Sequence, residues 1–547
     1  MRTQRICGLI LLFSTAAMGQ KLRKADKETI ENLKQHVSYL ADDKLEGRRT
    51  GTKGEEMALA YIQKGFQQAG LQPEQAGGSY AQPFEVLEGK SYQQSFLVIN
   101  GDSISRSQFF PLPASPELHL QAAPSIALKE ARVPWFTDLK ETLQTAQSNP
   151  HFSLSQFLVA TAKTSAKRGA SALIVYNSDE KAEELQYDPK DAADRLPIPV
   201  IYVNNPVAKK YFKDETATLE ISADVRFQQV KRTGHNVIGF INNRAASTVI
   251  IGAHYDHLGR GEDGGSLLAS KEPLIHNGAD DNASGTAALI ELARLLKKDP
   301  FKNNNYLFIA FSGEELGLFG SKYFVEHPGI DLSKVNYMIN LDMIGRLNEP
   351  NGVVTIGGYG TSPLWPQIFQ SVGDNRFFTN KYDSSGAGPS DHTSFYRKDI
   401  PVLFFFTGLH SDYHKPTDDP DKINYTGEYR IMQYIISLIK AADKRGKLAF
   451  TKTREQMVAG SARFGVTMGI MPDYTFVNKG VRIDGVSEGR PAQKAGLRTG
   501  DVVIQLGDYP VSSIENYMEA LSKFKKGDQV KVKVMRVDKI VDADIVF

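Results

Sequence analysis

Thr248-Val-Ile-Ile-Gly-Ala253 runs straight into His254-Tyr-Asp256, so an apolar strand signal ends on an imidazole and a carboxylate. The pattern recurs down the second half of the chain. Tyr306-Leu-Phe-Ile-Ala-Phe311 precedes Glu314-Glu315, Val335-Asn-Tyr-Met-Ile-Asn-Leu341 precedes Asp342, and Pro401-Val-Leu-Phe-Phe-Phe406 lies upstream of His414. Strands this uniformly apolar suit a sheet buried on both faces. In open α/β sheets the functional site lies beyond the carboxyl ends of the strands, where residues distant in sequence converge. Asp281 arrives by another route. It sits in Gly278-Ala-Asp-Asp-Asn-Ala-Ser-Gly285, a turn opening the helical stretch 286–298.

These five residues, His254, Asp281, Glu315, Asp342 and His414, form a candidate metal-ligand set. Two imidazoles with several carboxylates make a poor calcium site and a good zinc site. Five ligands exceed what one tetrahedral ion takes, but they suffice for two Zn2+ ions sharing Asp281. Glu315 and His414 would hold one ion, His254 and Asp342 the other. Paired ions of this kind clamp a hydrolytic water. Glu314, one residue before a ligand, is free to move protons and reads as the general base, acting on a metal-bridging hydroxide. Asp256, two residues after His254, is placed to accept that imidazole's other N–H. Tyr413, next to His414, is a candidate donor to the developing oxyanion. His257 falls on the other side of an extended chain and reads as non-ligating; His392 reads as structural.

At 547 residues the chain has the length of roughly three to four domains. With 41% hydrophobic and 23% charged residues it is globular, and a net charge of +2 without a basic cluster excludes nucleic acid as an expected partner. Met1-Arg-Thr-Gln-Arg5 followed by the apolar run 6–17 and small residues near Gly19 reads as a signal peptide over 1–19, too short to span a bilayer. The only cysteine, Cys7, lies inside it, so the mature chain is expected to be exported, without disulfides and without a membrane span, in a bacterial periplasm or outside the cell. Residues 20–95 read as the first part of the catalytic core, with a glycine-rich loop at Leu45-Glu-Gly-Arg48. Residues 96–232 change texture and read as an inserted module, and 233–445 resume strand–helix alternation. The polar stretch beginning at Lys444 reads as a linker, set at 446–460, before a strand-rich unit over 461–547.

His254-Tyr-Asp256, the 278–285 turn, Gly313-Glu-Glu-Leu-Gly317, Asn340-Leu-Asp342 and Tyr413-His414 together resemble the dizinc aminopeptidase and glutamate carboxypeptidase family. The resemblance implies a three-layer α/β/α zinc exopeptidase core with a mixed, mostly parallel sheet. It also implies the ligand pairing above and a cis peptide between Asp281 and Asn282. The insert, through Gly169-Ala-Ser-Ala-Leu-Ile-Val-Tyr176 and Ile198-Pro-Val-Ile201, resembles a β-rich protease-associated domain. The tail resembles a bacterial PDZ domain, with Met468-Gly-Ile470 as its carboxylate-binding loop and a possible C-terminal peptide as ligand. The expected activity is removal of N-terminal residues from peptides. Three alternatives stand beside it. A carboxypeptidase or dipeptidase would need a fixed cation, for which Arg346 is the candidate. A glutaminyl-cyclase-like enzyme would hold a single zinc, and a non-catalytic binding ectodomain would use the other modules.

Overall fold

The computed structural model describes residues 22–547 except 75, 147–153, 180–184, 190–194, 264, 269–271, 300, 349–351, 374, 376, 454–465, 473–479, 487–488, 499, 513, 522 and 538. The expected signal peptide therefore lies outside the described residues. Among them, the main sheet has nine strands, and its centre is parallel. Asn304–Phe311, Ser247–His254, Val335–Leu341 and Val402–Phe406 lie side by side in that order, all pointing the same way. Antiparallel partners flank them: Gln228–Ile241 on one side and Val353–Gly357 on the other. The sheet is thus mixed and mostly parallel at its core.

Strand periodicity explains the three layers. Along Asn304–Phe311 every residue is buried, and successive side chains alternate faces. Tyr306, Phe308 and Ala310 join one apolar core, which the helices Lys24–Leu40, Lys53–Gln68, Gly285–Lys298 and Tyr425–Asp443 complete. Leu307, Ile309 and Phe311 join a second core with Phe324 and Phe395, from the helices Phe319–Glu326 and His392–Tyr396. Because the four central strands are parallel, their carboxyl ends share one edge. His254, the 313–315 turn and Asp342 all emerge there.

The insert builds two four-stranded sheets of its own. One contains Phe96–Ile99, Leu118–Ala122 and Ile221–Val225; the other contains Pro134–Asp138, Ala172–Tyr176 and Val200–Val203; one apolar core draws on residues of both sheets, and a second lies on the opposite face of the latter sheet. Helix Leu154–Lys167 packs in the second, so the unit is α/β in texture. Gln228–Ile241 runs unbroken across residue 232, paired with Ala81–Ser91 from Ser91 to Ala81. The exposed run 228–231 hid this ribbon, because its side chains are not core residues on either face.

The expected linker behaves differently from its composition. Leu448 is buried and its N–H donates to Asn336 Oδ1 at 2.8 Å. Thr451 N–H donates to the Thr361 carbonyl at 2.8 Å, and Thr453 Oγ1 lies 3.0 Å from the Tyr396 hydroxyl. Residues 447–453 are thus strapped onto the main-sheet unit by hydrogen bonds, a form of anchoring that leaves no hydrophobic period to read. Beyond it, the tail forms a six-stranded sheet around Met468, Ile483, Val503, Val532 and Val534. Among the described residues, no helix is long and apolar enough to cross a membrane.

Candidate metal centre

All five expected ligands meet at the carboxyl edge of the parallel strands. Asp281 lies at the centre and is almost fully buried. Its Oδ1 is 3.4 Å from His254 Nε2, which in turn is 3.4 Å from Asp342 Oδ1. Its other oxygen, Oδ2, is 3.2 Å from His414 Nε2, and that nitrogen is 3.3 Å from Glu315 Oε2. Two donor groups thus share one carboxylate, each using a different oxygen. Zinc–nitrogen and zinc–oxygen bonds of about 2.0–2.1 Å at tetrahedral angles place neighbouring donor atoms about 3.3 Å apart. The observed separations fit that edge on both sides of Asp281.

Electrostatics point the same way. Burial lowers the imidazole of His254, but the carboxylates of Asp342 and Glu314 outweigh it and raise its pKa well above the usual value. His414 is likewise raised, chiefly by Glu315 and Asp281 against its burial. Burial would raise Glu315, yet His414 and a hydrogen bond from His257 hold it at about 2. A pocket this rich in buried carboxylate asks for cations.

The local chain explains how each ligand is presented. Asp281 and Asn282 are joined by a cis peptide bond, as the family resemblance implies. Asn282 is fully buried, donating Nδ2–H to the Leu341 carbonyl at 2.9 Å and accepting at Oδ1 from Gly285 N–H and Met343 N–H. A Cβ at Gly285 would lie 2.6 Å from the Leu341 carbonyl oxygen, so only glycine admits this contact between the turn and the strand carrying Asp342. Asp418 accepts from the N–H groups of Asp280 and Asp281 through Oδ2, at 2.9 and 3.1 Å. Behind the site, the fully buried Arg48 ties the strand end to the same turn, donating to the carbonyls of Tyr255 and Gly278.

Glu314 stands beside Glu315, its backbone N–H donating to Asp256 Oδ1 at 3.2 Å. Burial, reinforced by the carboxylates of Glu315, Asp391 and Asp342, pushes its carboxyl well above the ordinary range despite His254. Asp256 departs from the sequence expectation. His254 Nδ1–H donates to the Asp256 backbone carbonyl at 3.2 Å, whereas the carboxylate stands 3.7 Å from that nitrogen. The carboxylate instead accepts from Thr50 Oγ1–H and from Glu314 N–H, so it acts as charge partner to the imidazole and anchor to the next loop. Tyr413 stacks its ring on His414, with centroids 3.8 Å apart. His392 stacks on Phe404, and burial alone pushes its pKa down to about 3, in keeping with a structural role.

Sequence reasoning missed His257. The strand ends at His254, so the alternation that placed His257 on the far side no longer applies. Its Nδ1–H donates to Glu315 Oε1 at 2.8 Å, and the side chain is fully buried. The 2.8 Å separation is a hydrogen bond and is shorter than a tetrahedral edge, and Nδ1 lies 4.0 Å from Asp281 Oδ2. His414 therefore fits as the ligand and His257 as the group that orients Glu315. The extra histidine of His254-Tyr-Asp-His257 was the available signal.

Fold and donor set together define a three-layer α/β/α unit with a buried acid-and-imidazole site at the carboxyl edge of its sheet. Residues 236–439 match the model of peptidase family M28, and residues 460–546 match that of the PDZ domain. The chain is 27% identical over 318 residues to aminopeptidase YwaD of Bacillus subtilis, covering 55% of this chain and 64% of that protein. It is 31% identical over 193 residues to leupeptin-inactivating enzyme 1 of Streptomyces exfoliatus, covering 35% and 39%. The matched stretches span less than two thirds of either relative's length. Among solved structures, the zinc aminopeptidase BSAP of Bacillus subtilis aligns with 76% of this chain and 95% of its own, at 21% identity and a TM-score of 0.42.

Proposed function

We propose that this chain is an exported zinc-dependent aminopeptidase with two ions held by His254, Asp342, Asp281, Glu315 and His414. The observation that carries the reading is the division of Asp281, whose two oxygens each stand at zinc-edge distance from a different imidazole. Bound there, zinc supplies Lewis-acid polarisation of the scissile carbonyl and acidification of water. The protein's own groups do the rest. Glu314, with a carboxyl that burial makes basic, takes the proton of the attacking water and delivers it to the departing amine. Asp256 fixes that loop through Glu314 N–H, and His257 holds Glu315 by its Oε1. Tyr413, whose ring stacks on His414, is read as the donor to the developing oxyanion.

Arg346 favours aminopeptidase over carboxypeptidase action. Its guanidinium is paired with the Asp412 carboxylate and also donates to the Lys422 carbonyl, so it is already engaged. The inserted unit is read as a protease-associated domain, supported by its two sheets packed on a shared apolar core, and the apolar leader supports export. The PDZ unit is read as a binder of C-terminal peptides. The deciding experiment combines zinc stoichiometry with hydrolysis of leucyl p-nitroanilide and of N-blocked dipeptides. Two zinc ions per chain and cleavage of the free-amine substrate are expected. Glu314→Gln should keep both ions and lower kcat by about 10²–10⁴. One ion per chain, or cleavage of N-blocked dipeptides alone, would overturn the reading.

A further inference from the structure

The PDZ unit and the metal centre meet across a four-residue segment. Arg490, just before the PDZ helix Pro491–Lys494, donates from Nη2 to the carbonyls of Ser266 and Leu268 at 3.3 and 3.0 Å. The same segment grips His414 twice. His414 Nδ1–H donates to the Gly265 carbonyl at 2.9 Å, and Leu267 N–H donates to the His414 carbonyl at 2.9 Å. Ser266 Oγ lies 2.8 Å from His276 Nε2, which fixes the segment from a third side. His414 has φ +54, a left-handed conformation uncommon outside glycine, so its backbone depends on such supports.

On the PDZ side, Arg490 packs on the loop expected to take a carboxylate. Gly469 has φ +74, and a Cβ there would lie 2.6 Å from Arg490 Cγ. Ala492 N–H donates to the Met468 carbonyl at 2.8 Å, closing the contact. The strand Ile470–Pro472 follows at the edge of its sheet, paired on one side only, with Val481–Val486. An extended peptide can add to such an edge. Arg490 Nε is buried beside this loop and makes no hydrogen bond. A buried guanidinium N–H left unpaired next to a carboxylate-binding loop suits the C-terminal carboxylate of a peptide, through a charge-assisted bond.

We propose that Arg490 couples occupancy of the PDZ edge at Ile470–Pro472 by a peptide's C-terminal carboxylate to the metal centre, through residues 265–268 and His414. The coupling rests on the metal-centre reading above. A carboxylate held at Nε fixes the guanidinium in the pose in which Nη2 grips Ser266 and Leu268. That firms the segment supporting His414. Coupling between binding sites is reciprocal, so zinc at His414 must tighten peptide binding by the same factor.

The test uses the full chain, zinc-loaded and chelator-stripped, with a pool of random nonapeptides carrying fluorescein on the amine. The label blocks aminopeptidase cleavage. Fluorescence polarisation is compared for the free-acid pool and its C-terminal amide counterpart. The free acid should bind at least about fivefold tighter to the zinc-loaded chain than to the stripped one, with the amide weaker in both. Arg490→Gln, with folding checked by circular dichroism, should abolish the zinc dependence, and Arg490→Lys should restore part of it. No binding, equal binding of acid and amide, equal binding with and without zinc, or zinc dependence that persists in Arg490→Gln would each overturn the proposal. Hydrolysis of leucyl p-nitroanilide by the same zinc-loaded batches reports separately on the peptidase reading, so the two failures are distinguishable.

Discussion

Replacing Arg48 by methionine should loosen the peptidase unit at its metal edge. The guanidinium is fully buried and donates four hydrogen bonds to carbonyls: Tyr255 at 2.7 Å, Leu40 at 2.5 Å, Asn277 at 2.6 Å and Gly278 at 3.0 Å. Those carbonyls belong to three separate pieces of chain: the end of helix Lys24–Leu40, the exit of strand Ser247–His254, and the turn leading to Asp281. Burial pulls the guanidinium down to about 10, so it remains charged at neutral pH, supported by Asp256, Asp281, Asp418 and Glu315. Methionine fills much of the stem but leaves four carbonyls without a donor. Each buried polar group left unpaired costs about 1–3 kcal/mol. Relaxation recovers part of that, so a net loss of about 4 kcal/mol is expected. For a unit of this size that lowers Tm by roughly 8–16 °C. Because a chain of several units does not unfold in one step, calorimetry should resolve the transitions, with hydrogen exchange on segment 277–285 reporting on the turn. Lysine at this position keeps the charge but not the fork, and should fall between. A methionine variant whose peptidase transition moves by no more than about 1 °C, with unaltered exchange, would refute this account of how the turn is held.

His257→Phe keeps ring volume and removes the hydrogen bond on Glu315, so the zinc affinity of one of the two sites should fall about 10–100-fold while the other is retained; competitive chelator titration reads this directly. Asp412 gives a pH signature. Burial pushes its carboxyl up, but hydrogen bonds from Lys422, Thr417 and Arg346 outweigh it and hold the group at about 2. A depressed carboxyl stabilises the fold above the unfolded value of about 3.9 and loses that contribution as pH falls through the folded one. Asp412→Asn should therefore lower the thermal midpoint at pH 6 by the equivalent of about 2 kcal/mol and match the parent near pH 2, and a constant difference across that window would contradict it.

Strand endings made the metal centre legible before any coordinates. Apolar runs 248–253, 306–311 and 335–341 each deliver a ligand within a few residues, and parallel pairing brings those ends together. What sequence could not supply is geometry after a strand has ended. His257 and the Asp256 carboxylate both lie past His254, where a period of two no longer tells direction. Arg48 was visible only as part of a glycine-rich loop. Its role depends on Gly47 at φ +70, where a Cβ would lie 2.6 Å from the carbonyl oxygens of Gly259 and His276. Residues 447–453 and the ribbon across residue 232 were hidden for another reason: their order comes from hydrogen bonds, and composition reports only on burial of apolar area.

Charge arrangement connects these particulars. Asp256, Asp281, Glu314, Glu315, Asp342 and Asp391 crowd one edge of the sheet, and burial, reinforced by the carboxylates of Asp256 and Asp342 against His254, pushes the Asp391 carboxyl to about 7. Uncompensated carboxylates in such surroundings take protons instead of keeping their charge. Arg48 sits behind this group as a fixed guanidinium, bonded to carbonyl oxygens and not to the acids themselves, so it leaves every ligand oxygen open. Had lysine or arginine side chains been placed in front, the acids would be satisfied as salt bridges and unable to bind a divalent ion. The chain keeps its other nearby cation, Arg346, occupied by Asp412, and assigns Arg490 to carbonyls of the 265–268 segment. Arg48 and Arg346 are thus spent on structure, and the acid cluster is left free for divalent ions.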